Sequence, residues 1–229
     1  MEGTDLISAN VFARHSSIWT QVIPSLEPMV RWMNTHQASL GRAVDSLSGN
    51  ERNPLIAEAA FLLASTNFSY TPGVPSWVES QARKFLRLLP RGQAAEAQIT
   101  SGEWDEIGRL ARVTQLYTST IIDPVFSANI PGCGVVDPAT IDILGRDELV
   151  EMKTVTRPFR GLDLRQALTY AAMLNASQRP VSKITLLNPR RAVSVTLRIS
   201  EISQMARGDS AAELMQDLIE WMTGLQVSA

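Results

Sequence analysis

Residues 142–153 read Asp-Ile-Leu-Gly-Arg-Asp-Glu-Leu-Val-Glu-Met-Lys. Leu149, Glu151 and Lys153 alternate with Val150, Met152 and Thr154, the period of a β-strand, so Glu151 and Lys153 leave one face about 7 Å apart. A reversal centred on Arg146 and Asp147, eased by Gly145, sets Leu144 opposite Leu149 and therefore Asp142 opposite Glu151. Directly opposed side chains have Cβ atoms roughly 5 Å apart, and like charges there repel. The repulsion requires a counter-charge: Lys153 alone, or a divalent cation with Lys153 beside it.

A solvated ion-pair network on a surface hairpin is the plain alternative, worth under about 1 kcal/mol. The flanking residues argue against it. Ile141, Ile143, Val150 and Met152 make one face apolar, while Leu144, Leu149 and Val155 make the other apolar too. A strand covered on both sides is central, and burying three charges costs several kcal/mol unless they are paired or hold a metal.

Working outward, Trp104, Ile107, Leu110, Ala111, Thr114 and Tyr117 form one helical stripe before the hairpin. Val125–Ile130 is a short strand ended by Pro131-Gly132, and Thr140–Leu144 and Leu149–Val155 are the hairpin strands. Leu164, Ala167, Leu168, Ala171 and Leu174 mark a following helix. Lys183–Leu187 and Val193–Ile199 are β-rich runs, and Ser210–Leu225 returns to helix. The order α, β, β, β, α, β, β, α predicts a mixed sheet with helices on its faces. Residues 1–100 read instead as helices punctuated by Pro, Gly and Asn: Ile18–Met33 interrupted by Pro24 and Pro28, Pro54–Leu63, a turn at 70–75, and Ser76–Leu89.

Composition removes several chemistries. Cys133 is the only cysteine, so no internal disulfide or thiolate zinc cluster can form. His15 and His36 are the only histidines and lie far from the hairpin, which disfavours Ser-His or Cys-His catalysis; both are expected at the surface or half-buried on helices. A net charge of −2 excludes bulk electrostatic coating of nucleic acid. No run approaches the roughly 18 apolar residues of a membrane span. Met1–Phe12, with Glu2 and Asp5, does not predict a secretory signal.

Taken with that order of elements, Asp142 on one strand, Glu151-Met152-Lys153 on the next and Gln166 and Tyr170 in the helix after them resemble the PD-(D/E)xK phosphodiesterase superfamily. The likeness covers about residues 102–200. One departure is Ile141, where the family pattern has proline; Pro138 follows Asp137, which makes Asp137 a fallback for the first acid. Asp142 is preferred because Pro138 should break pairing near Asp137.

The resemblance implies an α/β, restriction-endonuclease-like αβββαβ core with a mixed central sheet over 101–229. It leaves 1–100 as an N-terminal helical region for recognition or partner binding. It further implies Mg²⁺- or Mn²⁺-dependent hydrolysis of nucleic acid by a cytoplasmic DNA endonuclease of a prokaryotic restriction or antiviral defence system. Asp142, Glu151 and the Met152 carbonyl would ligate the metal, since Mg²⁺ favours hard oxygen donors. Lys153 would orient or deprotonate the attacking water or stabilise the transition state, and Gln166 would position water or phosphate. Tyr170, on the same helix face as Gln166, would join Arg157 and Arg160 in binding the substrate.

From Lys153 to Arg191 there are eight Lys or Arg against Asp163 alone, and Arg157 and Arg160 are the preferred phosphate contacts. Glu103 and Glu106, where some relatives place an extra acid, are read as exposed first-turn acids favouring the helix dipole. Leu214, Leu218, Trp221, Met222 and Leu225 form a stripe for the core or, with the N-terminal region, for a homodimer or partner protein. A non-catalytic nucleic-acid-binding or assembly subunit of the same fold is the alternative function.

Overall fold

The computed structural model describes residues 6–47, 49, 51–66, 76–87 and 98–224. Its first part holds α1 (Ala9–Phe12), α2 (Ser16–Val22), α3 (Leu26–Thr35), the two-residue β1 (Ala38–Ser39), α4 (Asn53–Ser65) and α5 (Ser76–Arg87). Then come α6 (Ser101–Thr118), β2 (Val125–Ile130), β3 (Ala139–Leu144), β4 (Glu148–Met152) and α7 (Gly161–Ala176). The chain continues with β5 (Lys183–Asn188), β6 (Val193–Arg198), α8 (Ile199–Arg207) and α9 (Ala211–Gly224). The strands form one sheet in the order β1-β6-β5-β4-β3-β2. β4 and β5 run parallel and every other neighbouring pair antiparallel, so the class is α/β with a mixed open sheet. The parallel pair requires a crossover, and α7 supplies it.

Local chemistry sets the element ends. Thr100 caps α6 by accepting the Glu103 N–H, and Glu103 accepts the Thr100 N–H in return. Pro54 sits in the first turn of α4, where its missing N–H costs nothing. Between β3 and β4 the Gly145 N–H donates to the Glu148 carbonyl, closing the reversal at Arg146 and Asp147. A Cβ at Gly145 would lie 2.4 Å from Ile121 Cγ2, so close approach fixes glycine there.

Three expectations change. The strand predicted to reach Ile199 stops at Arg198, whose N–H is accepted by Glu201 at the start of α8. That helix ends at Gly208 in the left-handed conformation, φ 78°. The strand predicted over Leu149–Val155 ends at Met152. β1 was not foreseen, and it adds an edge strand from the N-terminal region. The turn at 70–75 lies outside the described residues. His15 and His36 are both exposed, at the ends of α2 and α3.

The sheet is covered on both faces. On one, Ile141, Leu149, Ile184, Leu186, Val195 and Leu197 pack with α7, α8 and α9 and with Phe12, Trp19, Met29 and Met33 of the N-terminal helices. On the other, Ile143, Val150 and Leu187 meet Ile121 and Tyr117. A third cluster lies between α4, α5 and α6. Leu214, Leu218 and Met222 are buried in the first cluster, so this part of the α9 stripe is covered by the chain itself. Residues before 100 thus share the sheet and cores of those after it. No helix among the described residues is long and apolar enough to cross a membrane.

Glu103 and Glu106, expected as exposed first-turn acids, are instead buried at 5% and 0% exposure. Arg52 clasps Glu103 through Nε and Nη2, both at 2.7 Å. Glu106 accepts Arg190 Nη1 and the Leu47 N–H, tying two loops to α6. Arg190 is itself only 3% exposed. Removing one partner of such a buried pair strands the other charge, so Glu106→Ala should cost about 3–5 kcal/mol in chemical denaturation. An unchanged denaturation midpoint would contradict this account of how α6 is anchored.

Candidate active site

The hairpin pairs Leu144 with Leu149 and Ile143 with Val150, the expected register. Beyond Val150 the two strands part, so Asp142 and Glu151 are not paired across the strands as expected. The cause is visible in β3 and its other neighbour β2, which pair Phe126 with Ile143 and Ala128 with Ile141 but skip Ser127 and Asp142 between them. Ser127 has φ 52°, a left-handed conformation rare for a side chain other than Gly, Asn or Asp. The face alternation slips by one residue there. Ile141 and Ala128 pack toward α7, whereas Ile143 packs on the opposite face with Phe126 against it.

At this slip the Asp142 carboxylate turns to the neighbouring strand and its Oδ2 accepts the Met152 N–H at 2.7 Å. The approach of Asp142 to β4 is therefore a bond from its side chain to main chain. On β4 itself Glu151 is 4% exposed, and its Oε1 accepts Lys153 Nζ at 2.6 Å. The same Nζ donates to Gln166 Oε1 at 2.9 Å, and Gln166 Nε2 donates to the Tyr170 hydroxyl at 3.0 Å. Glu151, Lys153, Gln166 and Tyr170 thus form one hydrogen-bonded chain from β4 into α7.

Charge in this region is unbalanced. Burial, then the charge of Asp142, pushes the Glu151 carboxyl up to about 8 against the opposing pull of Lys153. Burial also raises Asp142, opposed by the Met152 N–H and by Lys153. A third acid, Glu58 on α4, is pushed up to about 7 by burial and by Asp142. Tyr170 is raised to about 12 by burial and by Glu151.

Glu58 was not predicted. Its sequence signal is that it is the one charge in the run Pro54-Leu-Ile-Ala-Glu-Ala-Ala-Phe-Leu-Leu-Ala64; a helix so apolar is buried all round, and a lone acid in it has a partner or a task.

A cleft of about 410 Å³ opens between α4, α5 and the sheet, with Glu58, Phe61, Phe85, Asp142, Met152 and Thr154 in its wall. A contiguous hollow of about 490 Å³ shares Glu58, Phe85 and Asp142 and adds Gln81, Lys84, Ser127, Asn129 and Thr140. Glu151 and Lys153 do not line either space.

The donors suit a hard divalent cation. The recorded hydrogen bonds use one oxygen of Asp142 and one of Glu151, and the second oxygen of each has no hydrogen-bond partner among the described residues. No three His, Cys, Asp or Glu side chains among the described residues converge as a ready-made cage. Two carboxylates with the Met152 carbonyl, completed by water and a substrate phosphate, are the donor set Mg²⁺ favours.

The other predicted residues fall out differently. Arg157 is bonded through both terminal nitrogens to Asp163, at 2.7 and 2.9 Å, and fastens the loop after β4 to the start of α7. Arg160 is exposed and without an ion pair among the described residues. Asp137 lies in the loop before β3, its N–H donated to the Ile7 carbonyl. Compared with models of known protein families and with curated proteins, the chain matches none.

The raised carboxyls give a pH signature. An acid held above its ordinary value stabilises the fold fully below that value and loses the contribution as pH rises through the folded one. For Glu58 this window runs from about 4.5 to about 7. Glu58→Gln should therefore melt with the wild type at pH 4 and several degrees above it at pH 8, read by thermal denaturation across pH. A variant less stable at pH 8 would show that the Glu58 charge is satisfied rather than strained.

Proposed function

We propose that this chain is a metal-dependent nuclease of the PD-(D/E)xK kind, hydrolysing phosphodiester bonds in nucleic acid as a DNA endonuclease, with restriction or antiviral defence as its context. One observation carries the reading: Asp142 from one strand is bonded to the next strand at Met152, between Glu151 and Lys153, with Gln166 of the following helix bonded to that lysine. The order of α6, β2, β3, β4, α7 and β5 supports the same core.

Mg²⁺ or Mn²⁺ bound by Asp142, Glu151 and the Met152 carbonyl would supply charge to the scissile phosphate and acidify the attacking water. The remaining work belongs to side chains. Lys153 Nζ has three donors, two of them committed to Glu151 and Gln166; the third is free for a phosphate oxygen as charge grows on it in the transition state. Gln166 has its carbonyl on Lys153 and its amide on Tyr170, which fixes its rotamer. It therefore acts as a positioning residue that aims the ammonium. Arg160 is the open phosphate contact after β4, whereas Arg157 serves the fold.

The test is cleavage of supercoiled plasmid with Mg²⁺ or Mn²⁺. Lys153→Ala and Asp142→Ala should each lose about a hundredfold or more in rate with circular dichroism unchanged, the scale of deleting one transition-state contact. Asp142→Ala should also abolish the Mn²⁺ binding isotherm in calorimetry. Cleavage at wild-type rate by both variants overturns the proposal; if metal also fails to shift the melting temperature, the acids and Lys153 are a structural ion-pair network.

A further inference from the structure

Phe85 belongs to no core cluster among the described residues. On α5, a helix whose buried residues are Val78, Ala82 and Leu86, it stands 46% exposed, yet it lines both hollows that contain Asp142. Lys84 and Gln81 lie beside it, with Ser127, Asn129 and Thr140 on the β2–β3 wall. Lys84 makes no ion pair among the described residues, unlike Arg83, which is held by Glu79.

The space next to Asp142 is therefore a slot walled by two aromatics, Phe61 and Phe85, by the acids Glu58 and Asp142, by one ammonium without an ion pair among the described residues, and by a rim of amides and hydroxyls. The two hollows, about 410 and 490 Å³, each fall in the small-ligand range of roughly 300–1,000 Å³, room for a nucleotide unit. An unstacked base offers a π-face to an aromatic ring and free Watson–Crick edges to amides and hydroxyls, neither of which an intact duplex presents.

We infer that the cleft selects an unpaired nucleotide. Phe85 stacks on its base, Lys84 contacts a neighbouring phosphate, and Gln81 and Asn129 meet the base edge, so the substrate is a single strand or a frayed, flapped or mismatched segment. This rests on the nuclease reading of the site and narrows it. A base that is already unpaired avoids the cost of flipping one out of a duplex.

The test is fluorescence anisotropy without metal, using one labelled sequence as single-stranded DNA, single-stranded RNA and blunt DNA duplex, followed by cleavage of the same three with Mn²⁺. One or both single strands should bind about tenfold or more tighter than the duplex and be cut preferentially. Phe85→Ala should weaken single-strand binding by about fivefold or more, with Phe85→Trp restoring it. Lys84→Glu should weaken it further and flatten its salt dependence.

Equal or tighter duplex binding, or a Phe85→Ala protein that binds the single strand as well as wild type, overturns the inference. The two readings separate cleanly. Phe85-dependent single-strand binding with no cleavage of any substrate defeats the hydrolytic assignment and leaves the slot standing. Lys153-dependent duplex cleavage indifferent to Phe85 does the reverse.

Discussion

The bond from the Met152 N–H to Asp142 Oδ2 is the constraint on which the site depends. An unmade hydrogen bond from a buried main-chain N–H is costly, and past Val150 the β3–β4 pairing no longer supplies an acceptor. A carboxylate can fill that place only if its side chain leaves the usual alternation, and the slip at Ser127 and Asp142 provides the departure. Strain at Ser127 and the parting of the strands are thus two ends of one arrangement. Together they open the sheet beside Glu151, so that a charged pair sits in the protein interior without breaking the core on either face.

Once opened, the site is defined by excess negative charge. Burial raises the carboxyls of Glu58, Asp142 and Glu151, and the charge of Asp142 raises Glu58 and Glu151 further; one ammonium, Lys153, stands against Asp142 and Glu151. Such a site favours a proton and, on the proposed reading, a cation that competes with it. That Glu58 comes from α4 changes the meaning of the N-terminal half. Strand β1 and the helices packed on the α7 side tie that half to the sheet, and α4 and α5 form part of the wall of the site.

How much of this was readable in advance depends on range. The period-2 alternation of Leu149, Val150 and Glu151, the turn at Arg146 and Asp147, and the stripes of α6 and α7 are local signals, and each lies where the pattern puts it. The Lys153–Gln166 bond needed only a strand and the next helix. What stayed hidden is non-local. Glu103 and Glu106 look like ordinary first-turn acids because their partners, Arg52 and Arg190, lie 51 and 84 residues away. β1 is two exposed residues with no hydrophobic pattern, recruited by main-chain pairing. The slip at Asp142 is a matter of backbone dihedrals and leaves no compositional trace. The start of α8 was masked by a β-branched run, although Ile199, Ile202 and Ala206 with Gly208 after them spell a short helix and its stop.

The arginines show why a charge count alone misplaces a substrate. Eight basic residues between 153 and 191 suggest a phosphate-binding flank, yet Arg157 is held by Asp163, Arg190 by Glu106, and Arg165 lies over the Trp19 ring at 6.0 Å. Arginine's fork makes it the favoured partner for buried carboxylates as well as for phosphates, so a rich local supply marks heavy internal pairing as readily as ligand binding. Among the described residues, cations without a carboxylate partner include Arg160 after β4, Lys84 on the cleft wall, and Arg42, Arg109 and Arg112 around a separate hollow beside α6. Packing decides which charges are left over, and on the proposed reading those charges, wherever they lie in sequence, set the direction from which a phosphate chain approaches Asp142.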